Sequence, residues 1–338
     1  GHLLEESMKI MVYEARPDER ADLEKQAALH GVELSVTDAV PTLENASLAA
    51  GCIGVSILGQ GGIDAALLDA YHALGIRYLS TRTIGYDHID LDHARSIGLR
   101  VCSASYAPNG VADFTVMMIL MCLRHYKQAL WRGQVNDFSL TGLQGREMKD
   151  LTIGIIGTGR IGAQVARNLS GFGCRILAYD LRRNPAVEPQ VTYVDFDTLL
   201  AQSDVITLHM PLLDSNRHII NRESIAKMRD GVVIVNCSRG ELADIEALIE
   251  GIETGKIGAL GMDTVEGDEG IIHADHRVDI LPNRNWFYLH QFRNVIMTQH
   301  MAFYTDAAVS SMVDCGIGGI CQMAAGESCP TELTGPVQ

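Results

Sequence analysis

The chain is short of positive charge. Its 338 residues include 27 lysines and arginines against 42 aspartates and glutamates, and the formal net charge is −15. An acidic protein repels phosphate polymers and anionic membrane surfaces, so neither nucleic acid nor a membrane is expected as a partner. The longest apolar run, residues 114–123, cannot span a bilayer, which takes about 20 residues. It predicts a buried helix.

Closely spaced cysteine pairs are also missing. The eight cysteines are scattered without a C-x-x-C spacing, which indicates reduced thiols of the cytoplasm and neither a metal site nor a disulfide framework. The first residues, GHLLEES, lack the basic and apolar segments of a signal peptide. We therefore expect residues 1–7 to be a cloning remnant and Met8 to be the natural start. Hydrophobic residues make up 47% of the chain, enough for the cores of two domains.

What the sequence does contain is a dinucleotide fingerprint within residues 151–183. An apolar strand leads into Gly157-Thr158-Gly159-Arg160-Ile161-Gly162, a helical stretch follows, and a second apolar strand ends at Asp180. The first glycine permits a tight turn, the second lets the backbone approach a pyrophosphate, and the third lets the helix pack against the strand. The pyrophosphate is expected on the free N–H groups of the helix that starts near Arg160.

Asp180 bears on the choice of cofactor. A carboxylate at the end of the second strand accepts hydrogen bonds from the adenosine ribose and repels a 2′-phosphate, which favours NAD over NADP. Arg182 and Arg183 follow it in the sequence. They either bind a 2′-phosphate or form an exposed surface pair. The fingerprint as a whole predicts NAD.

Strands and helices alternate on both sides of the fingerprint, as in doubly wound parallel sheets. About 90 residues ahead of it form a first α/β unit of their own, with a border near residue 105. Two loops of that unit, residues 59–62 and 83–88, are expected to contact the substrate, because ligands lie at the carboxyl ends of parallel strands. For their glycines, a plain turn is the alternative. Long apolar or amphipathic helices are predicted over 111–126 and 306–325, and further strands over 205–209, 232–236 and 259–263.

A bound nicotinamide implies hydride transfer, for which a carbonyl substrate needs a cation to hold its carboxylate and an acid to protonate its oxygen. Arg239, in VNCSRG, and His300, in TQHMAFY, each follow a predicted strand. Taken singly, such an arginine is more often a surface residue and such a histidine more often a core residue. Their shared position at strand ends, with the acidic residues 266–269 between them in the sequence, favours the catalytic interpretation.

The chain resembles the D-specific 2-hydroxyacid dehydrogenases, most closely their D-lactate dehydrogenase branch. The resemblance extends from Met8 to about Glu332. It implies an α/β fold of two Rossmann-like, doubly wound parallel-sheet domains, one flavodoxin-like and one dinucleotide-binding. A discontinuous substrate domain would cover 8–105 and 304–338, and an NAD-binding domain, through which family members form homodimers, would cover 106–303. The motifs that carry the resemblance are KIMVYEAR, STRTIGYDHID, SYAPNGVAD, IGTGRIG, VIVNCSRGELAD, KIGALGMDTVEGD and TQHMAFYTDAAV.

The resemblance also implies roles for particular residues. Arg239 would bind the carboxylate and carbonyl of the substrate, and His300 would donate and accept the proton. The other substrate contacts would be Ile84, Gly85, Tyr106, Phe303 and Tyr304. The cofactor contacts would be Gly157, Thr158, Gly159, Arg160, Ile161, Gly162, Asp180, His209, Met210, Pro211, Asn216, Cys237, Ser238 and Asp263, the last as the partner of the nicotinamide carboxamide.

One position departs from the pattern of the family, and a second bears on the substrate. The family usually pairs its histidine with a glutamate, but a gapless count from Arg239 puts Asp268 there. Either the shorter acid serves, or Glu266 or Glu269 does after a local shift, and a carboxylate at that place would raise the pKa of the histidine. Leu58 aligns with the position at which a 2-hydroxyglutarate relative carries an arginine, which predicts a substrate without a second carboxylate.

The expected activity is the reversible, NADH-dependent reduction of a small 2-oxo acid, pyruvate to D-lactate, by a cytoplasmic homodimer. The alternatives are another substrate, such as 2-oxoglutarate or a branched-chain 2-oxo acid, and an NAD-sensing scaffold, since the fold also serves corepressors. No metal is expected in the site.

Overall fold

The computed structural model describes residues 7–335. The predicted cloning remnant lies outside the described residues except for Ser7, and so does the end of the predicted substrate domain, residues 336–338. The described chain divides into two compact units, residues 7–107 with 304–335, and residues 108–303. The border after Ala107 is two residues from the predicted one and directly precedes Pro108, the N-cap of the helix that begins at Asn109.

Twelve strands and eleven α-helices are formed by the described residues. The strands are β1 Lys9–Val12, β2 Glu33–Val36, β3 Gly54–Ile57, β4 Tyr78–Thr81, β5 Arg100–Cys102, β6 Thr152–Ile156, β7 Arg175–Tyr179, β8 Thr192–Tyr193, β9 Val205–Leu208, β10 Val232–Asn236, β11 Ile257–Met262 and β12 Val295–Met297. The helices are α1 Arg20–His30, α2 Ala65–Ala73, α3 Leu91–Ser96, α4 Asn109–Leu123, α5 Tyr126–Gln134, α6 Arg160–Ser170, α7 Phe196–Gln202, α8 Arg222–Ala226, α9 Ile245–Thr254, α10 Arg284–His290 and α11 Asp306–Ala324.

The first unit is built on a five-stranded parallel sheet of order β2-β1-β3-β4-β5. The tail helix α11 returns to this sheet, and its residues Val313, Ile317 and Ile320 pack with Ile10 and Val12 of β1 in one apolar cluster. By length and composition α11 could cross a membrane, the only described helix to pass that test, although more than half of it is buried in the protein. Here it acts as the core helix of the unit.

A buried ion pair fixes the carboxyl edge of this sheet. Arg82, directly after β4, is 0% exposed and lies 2.7 Å from the carboxylate of Glu19, which is 1% exposed. The same guanidinium donates to the hydroxyl of Ser56 at the end of β3 and to the carbonyl of Tyr13 beyond β1. Since a buried charge is tolerated only when it is paired and hydrogen-bonded, this network locks three strand ends together.

The second unit is built on a seven-stranded parallel sheet of order β12-β11-β10-β9-β6-β7-β8. From β6 the chain goes first to β7 on one side and later to β9 on the other. The strand order therefore reverses between β6 and β9, and a crevice at the carboxyl ends of these strands is where ligands of doubly wound sheets bind. The predicted fold class, two doubly wound parallel sheets, is confirmed.

Candidate active site

The glycine loop after β6 has the geometry of a nucleotide cradle. Gly157 has φ 96°, and any Cβ there would collide with the carbonyl of His209 after β9. A Cβ at Gly162 would collide with the carbonyl of Gly157, so α6 can approach the strand only because that residue is glycine. At Gly159, by contrast, a Cβ would meet nothing within 4 Å. The open side of the loop is thus the side from which a pyrophosphate can reach the backbone.

The start of α6 supplies donors to that open side. Its N-cap is Gly159, and no side chain of the described residues caps the first turn. The N–H groups of the first turn of a helix favour an anion, and the helix dipole adds favourable potential there. Loop and helix together fit the pyrophosphate of a dinucleotide.

Asp180 lies where an adenosine ribose is expected. One oxygen of its carboxylate accepts a 2.7 Å hydrogen bond from the backbone N–H of Thr158, which places the acid against the glycine loop. Sequence reasoning missed two neighbours. The Tyr193 hydroxyl lies 2.7 Å from the hydroxyl of Thr158, and the Asn184 amide donates to the Thr158 carbonyl at 3.0 Å. Neither residue lies in a motif that predicts a cofactor contact, and Tyr193 belongs to the two-residue strand β8.

Loops after β9 and β10 form the other wall of the crevice. His209 is buried, which lowers its pKa to about 3, so the imidazole is neutral and pairs with the hydroxyl of Thr207 at 2.8 Å. The Asn216 side chain binds Leu213 N–H and Pro211 C=O of its own loop, both at 2.8 Å. Asn216 therefore shapes the loop. The remaining predicted residues here are buried Cys237, whose pKa burial raises to about 12, and Ser238, whose hydroxyl donates to the Met210 carbonyl at 2.7 Å.

Arg239 is presented by a tight turn at the end of β10. Asn236 is fully buried, its Oδ1 accepts from Ser238 N–H at 3.0 Å, and its Nδ2 donates to the Arg239 carbonyl at 2.9 Å. Arg239 is exposed, and its guanidinium donates to the Ser238 carbonyl at 3.1 Å. A Cβ at Gly240 would collide with the backbone of Val265, so only glycine lets this turn approach the acidic loop. Asn236 is a positioning residue that the sequence did not single out.

Asp263 holds the loop that carries His300. Its side chain is almost fully buried and accepts three hydrogen bonds, from the Thr298 hydroxyl at 2.7 Å, from Met301 N–H at 2.8 Å and from Ala302 N–H at 2.9 Å. His300, enclosed by these three donors, has φ 53°. Such a left-handed conformation costs a non-glycine residue roughly 1–3 kcal/mol and is kept only where neighbours enforce it. Asp263, predicted as a nicotinamide contact, here clamps the histidine loop.

The structure brings His300 into the electrostatic range of Arg239. Burial lowers the pKa of His300, the carboxylate of Asp263 opposes that shift, and His273 and Arg239 add to it. Glu241 has a weaker raising effect on the same pKa. The ring of His273 lies 6.0 Å from that of His300, and its Nε2 is 3.0 Å from the His300 carbonyl. Sequence reasoning singled out neither His273 nor Glu241, although Glu241 lies within the motif VIVNCSRGELAD.

Asp268 is half-buried beside this cluster. Burial raises its pKa to about 6, with smaller contributions from Glu241, Glu269 and Asp263. Its carboxylate accepts from Val265 N–H at 3.3 Å. The pKa of His300 lies below its ordinary value, opposite to the expected rise, and the largest effects on it come from burial and from groups other than Asp268. Burial is the reason for this correction. The pairing of Asp268 with His300 remains a prediction.

The alternative acids lie differently. Glu266 is engaged by His218 and, at 3.5 Å, by Arg217, on the side of the loop that follows β9. Glu269 is exposed.

Phe303, a predicted substrate contact, lies with its ring centroid 6.4 Å from that of His300. Tyr304 begins the return to the first unit, where Arg16 lies 5.3 Å from the centre of its ring.

In the first unit, the two predicted substrate loops meet at the carboxyl ends of β3 and β4. Ile63 N–H donates to the His88 carbonyl at 2.7 Å, and Asp90 N–H donates to the Ile63 carbonyl at 3.0 Å. Ile84 and Gly85 are exposed there, and Tyr106 is half-buried. The Thr83 hydroxyl donates to the Gly85 carbonyl at 2.6 Å, which fixes the loop that was predicted to receive the substrate carboxylate.

Known proteins resemble this chain in sequence and in fold. The family profile "D-isomer specific 2-hydroxyacid dehydrogenase, NAD binding domain" matches residues 116–302. An aromatic 2-oxoacid reductase of Clostridium sporogenes is 42% identical over 91% of this chain and 93% of its own. The crystal structure of a D-lactate dehydrogenase from Treponema pallidum superposes with TM-score 0.90 at 31% identity, over 96% of this chain and 99% of that one. An NAD-complexed D-isomer specific 2-hydroxyacid dehydrogenase from Lactobacillus delbrueckii gives TM-score 0.86 at 30% identity, over 96% and 100%.

The chain therefore belongs to the D-isomer specific 2-hydroxyacid dehydrogenases. It is an NAD-dependent oxidoreductase of 2-oxo and 2-hydroxy acids, as the sequence predicted. The resemblance to the D-lactate dehydrogenase branch is confirmed at the level of relatives, whereas the individual substrate is a separate question.

Proposed function

We propose that the enzyme reversibly reduces a small 2-oxo acid with one carboxylate, with pyruvate as the main substrate and D-lactate as the product. The observation that supports this most is the placement of Arg239 and His300. They follow β10 and β12 on the same edge of one sheet and are close enough for the guanidinium to shift the pKa of the histidine. A fixed cation beside a titratable imidazole is what reduction of an anionic carbonyl compound requires.

Each residue then has a chemical task. Bound NADH supplies the hydride. Arg239 holds the substrate carboxylate and stabilises the negative charge that develops on the carbonyl oxygen. His300 gives a proton from its imidazolium to that oxygen and recovers it in the reverse direction. Asp263 keeps the histidine loop in place through the N–H groups of Met301 and Ala302.

The supporting residues are assigned by the same reasoning. Asp268 is proposed to favour the imidazolium form of His300 once its own carboxyl is ionised. Ile84, Gly85 and Tyr106 are proposed contacts of the substrate carboxylate, and Phe303 and Tyr304 of the rest of the substrate. The glycine loop, Asp180 and the residues of the second wall are proposed to hold NAD.

A second candidate substrate is an aromatic 2-oxo acid. The relative with that activity in its name is 42% identical over nearly the whole chain. Leu58, which ends the strand segment at the substrate loop of the first unit, is aliphatic and is compatible with an apolar side chain of the substrate. Both candidates share the reaction and differ only in the group attached to the 2-oxo acid.

We further propose that the enzyme is a cytoplasmic homodimer that associates through its NAD-binding unit. The eight cysteines, all within the described residues, are free thiols, which is typical of a reducing compartment. A row of large apolar side chains is exposed on α5 and beyond it, and such a patch is typical of an interface. Its members are Tyr126, Leu130, Trp131, Val135, Phe138 and Leu140. Light scattering should give twice the chain mass, and Leu130→Glu should lower it.

The chemistry is tested by removing the two charged groups. His300→Gln and Arg239→Gln should each lower kcat/KM for the best 2-oxo acid by about a hundredfold or more, while NADH binding, followed by fluorescence, is retained. His93→Gln and Arg222→Gln serve as controls, because both residues lie in exposed ion pairs. Activity within about twofold of wild type in either site variant contradicts the proposed roles.

A further inference from the structure

Glu14 is a buried carboxylate for which the reaction gives no role. It follows β1, is 3% exposed and has φ 58°. The nearby Glu19 is neutralised by Arg82, but among residues 7–335 no ion pair includes Glu14. A glutamate is almost never buried unless its oxygens are satisfied, so its partners identify what it does.

The partners of Glu14 are backbone N–H groups of the first substrate loop. One carboxylate oxygen accepts from Leu58 N–H, and the other accepts from Gln60 N–H at 2.9 Å. The backbone of Glu14 is itself fixed, since its N–H donates to the Ala39 carbonyl at 3.0 Å and its carbonyl accepts from Arg82 at 3.4 Å. The left-handed turn at Glu14 thus directs the carboxylate across the end of β3.

Two glycines of this loop lie close to neighbouring segments. A Cβ at Gly61 would lie 2.6 Å from a methyl carbon of Val40, and a Cβ at Gly59 would lie 3.3 Å from the ring of His88. The loop is therefore packed between the segment after β2 and the second substrate loop. A shift of its backbone would reach both.

From His88 a line of hydrogen bonds continues to the proposed carboxylate contact. The Nε2 of His88 lies 3.1 Å from the hydroxyl of Thr81, which lies 2.6 Å from that of Thr83. The Thr83 hydroxyl donates to the Gly85 carbonyl at 2.6 Å. The position of Leu58 and the position of Gly85 are thus fixed relative to each other within one unit.

We propose that Glu14 is a positioning residue that fixes Leu58 and thereby sets which side chains of 2-oxo acids the enzyme accepts. The inference rests on the proposed function, because it takes the loops at β3 and β4 as the substrate side of the first unit. Glu14 acts through the backbone of the loop and touches neither substrate nor cofactor. Its effect is on discrimination between substrates, and the hydride step itself is left unchanged.

Glu14→Gln isolates the contribution of the second acceptor. A carboxylate offers two acceptors, whereas an amide turns an NH₂ group toward one of the two N–H donors and loses that hydrogen bond. Glu14→Gly removes the side chain and relieves the positive φ, so the backbone turn is kept even if the glutamine variant folds poorly. Glu24→Gln, on the exposed face of α1, is the matched control.

Two readouts separate positioning from general damage. Hydrogen exchange should accelerate about tenfold for each lost hydrogen bond, at the N–H of either Leu58 or Gln60 in Glu14→Gln and at both N–H groups in Glu14→Gly. The ratio of kcat/KM for pyruvate to that for phenylpyruvate should change by about the same factor, through KM, with kcat for the better substrate nearly constant. The control should match wild type in both.

The proposal is overturned if exchange at these two sites is unchanged, or if both substrates lose activity in proportion, which is the result of a merely structural role. If the wild-type enzyme reduces none of the 2-oxo acids, the proposed function fails, and with it the assignment of specificity to Glu14. If Glu14→Gly accelerates exchange but keeps the wild-type ratio of kcat/KM for the two substrates, the loop does not set specificity and the proposal is overturned.

Discussion

The backbone N–H of Met301 donates a 2.8 Å hydrogen bond to the carboxylate of Asp263, and so the residue after His300, the proposed proton donor, is tied to the end of β11. The same carboxylate accepts from Ala302 N–H and from the Thr298 hydroxyl. Three donors on one buried acid explain how His300 keeps a left-handed backbone. The position of His300 is therefore set by a residue 37 positions earlier in the chain.

Asp263→Asn should destabilise the enzyme and misplace His300. The amide turns an NH₂ group toward donors that need acceptors, which costs about 1–3 kcal/mol for a buried site. The midpoint of thermal unfolding should fall by several degrees, and kcat should fall more steeply than the stability alone explains. Asp197→Asn, an exposed acid on α7, is the control. Unfolding and kcat equal to wild type would show that the clamp is dispensable.

NADH should be preferred to NADPH. The carboxylate of Asp180 lies against the glycine loop, where a 2′-phosphate would meet it across a few ångströms. Like charges at such a distance cost a few kcal/mol at most, since Arg182 and Arg183 and the solvent screen them. Asp180→Asn should narrow the preference by about tenfold or more. Equal kcat/KM values for NADH and NADPH in the wild-type enzyme would contradict this interpretation.

Pyruvate should be used in preference to 2-oxoglutarate by about a hundredfold or more, because Leu58 offers no charge to a second carboxylate. Leu58→Arg should raise kcat/KM for 2-oxoglutarate and lower it for pyruvate. Leu58→Met, similar in volume and uncharged, should leave both nearly unchanged. A wild-type enzyme that reduces 2-oxoglutarate more efficiently than pyruvate would mean that another cation reaches the substrate.

Reduction should decline as pH rises through the pKa of His300, because the proton donor is the imidazolium. Burial lowers that pKa, so the decline is expected on the acid side of the ordinary histidine value. Asp268 has a pKa of about 6 and is ionised above it, where its negative charge favours the imidazolium. Asp268→Asn removes that charge, and the alkaline limb for reduction should move to lower pH. Oxidation of the hydroxy acid needs neutral His300 and should show the opposite trend.

The matched comparison for this prediction is Glu269→Gln, an exposed neighbour on the same loop. If the limb stays in place in Asp268→Asn and moves in Glu269→Gln or Glu266→Gln, the acid that acts on the histidine has been assigned to the wrong residue.

The sequence was sufficient to predict the features that depend on residues close together in the chain. The glycine loop, Asp180, the strand from Val232 to Asn236 and the tail helix from Asp306 all follow from periodicity and from the steric needs of a nucleotide turn. Arg239 and His300 could be found because both come directly after strands. The first strand ends at Val12, before the left-handed turn at Glu14.

What could not be predicted depends on contacts between distant parts of the chain. Glu19 and Arg82 are 63 positions apart, and Glu14 and Gln60 are 46 positions apart. Neither pair can be recognised from the sequence pattern around its members. The lowered pKa of His300 was missed for the same reason. Burial by residues from several loops outweighs the effect of any single charge that a sequence motif supplies.

The most direct test of the account is to incubate the wild-type protein with NADH and either pyruvate or phenylpyruvate. The loss of NADH absorbance is followed, and the configuration of the product is determined. The account predicts stoichiometric oxidation of NADH, formation of the D-2-hydroxy acid, and loss of both in His300→Gln and Arg239→Gln. Product of the L configuration, or NADH oxidation that persists in those two variants, would contradict it.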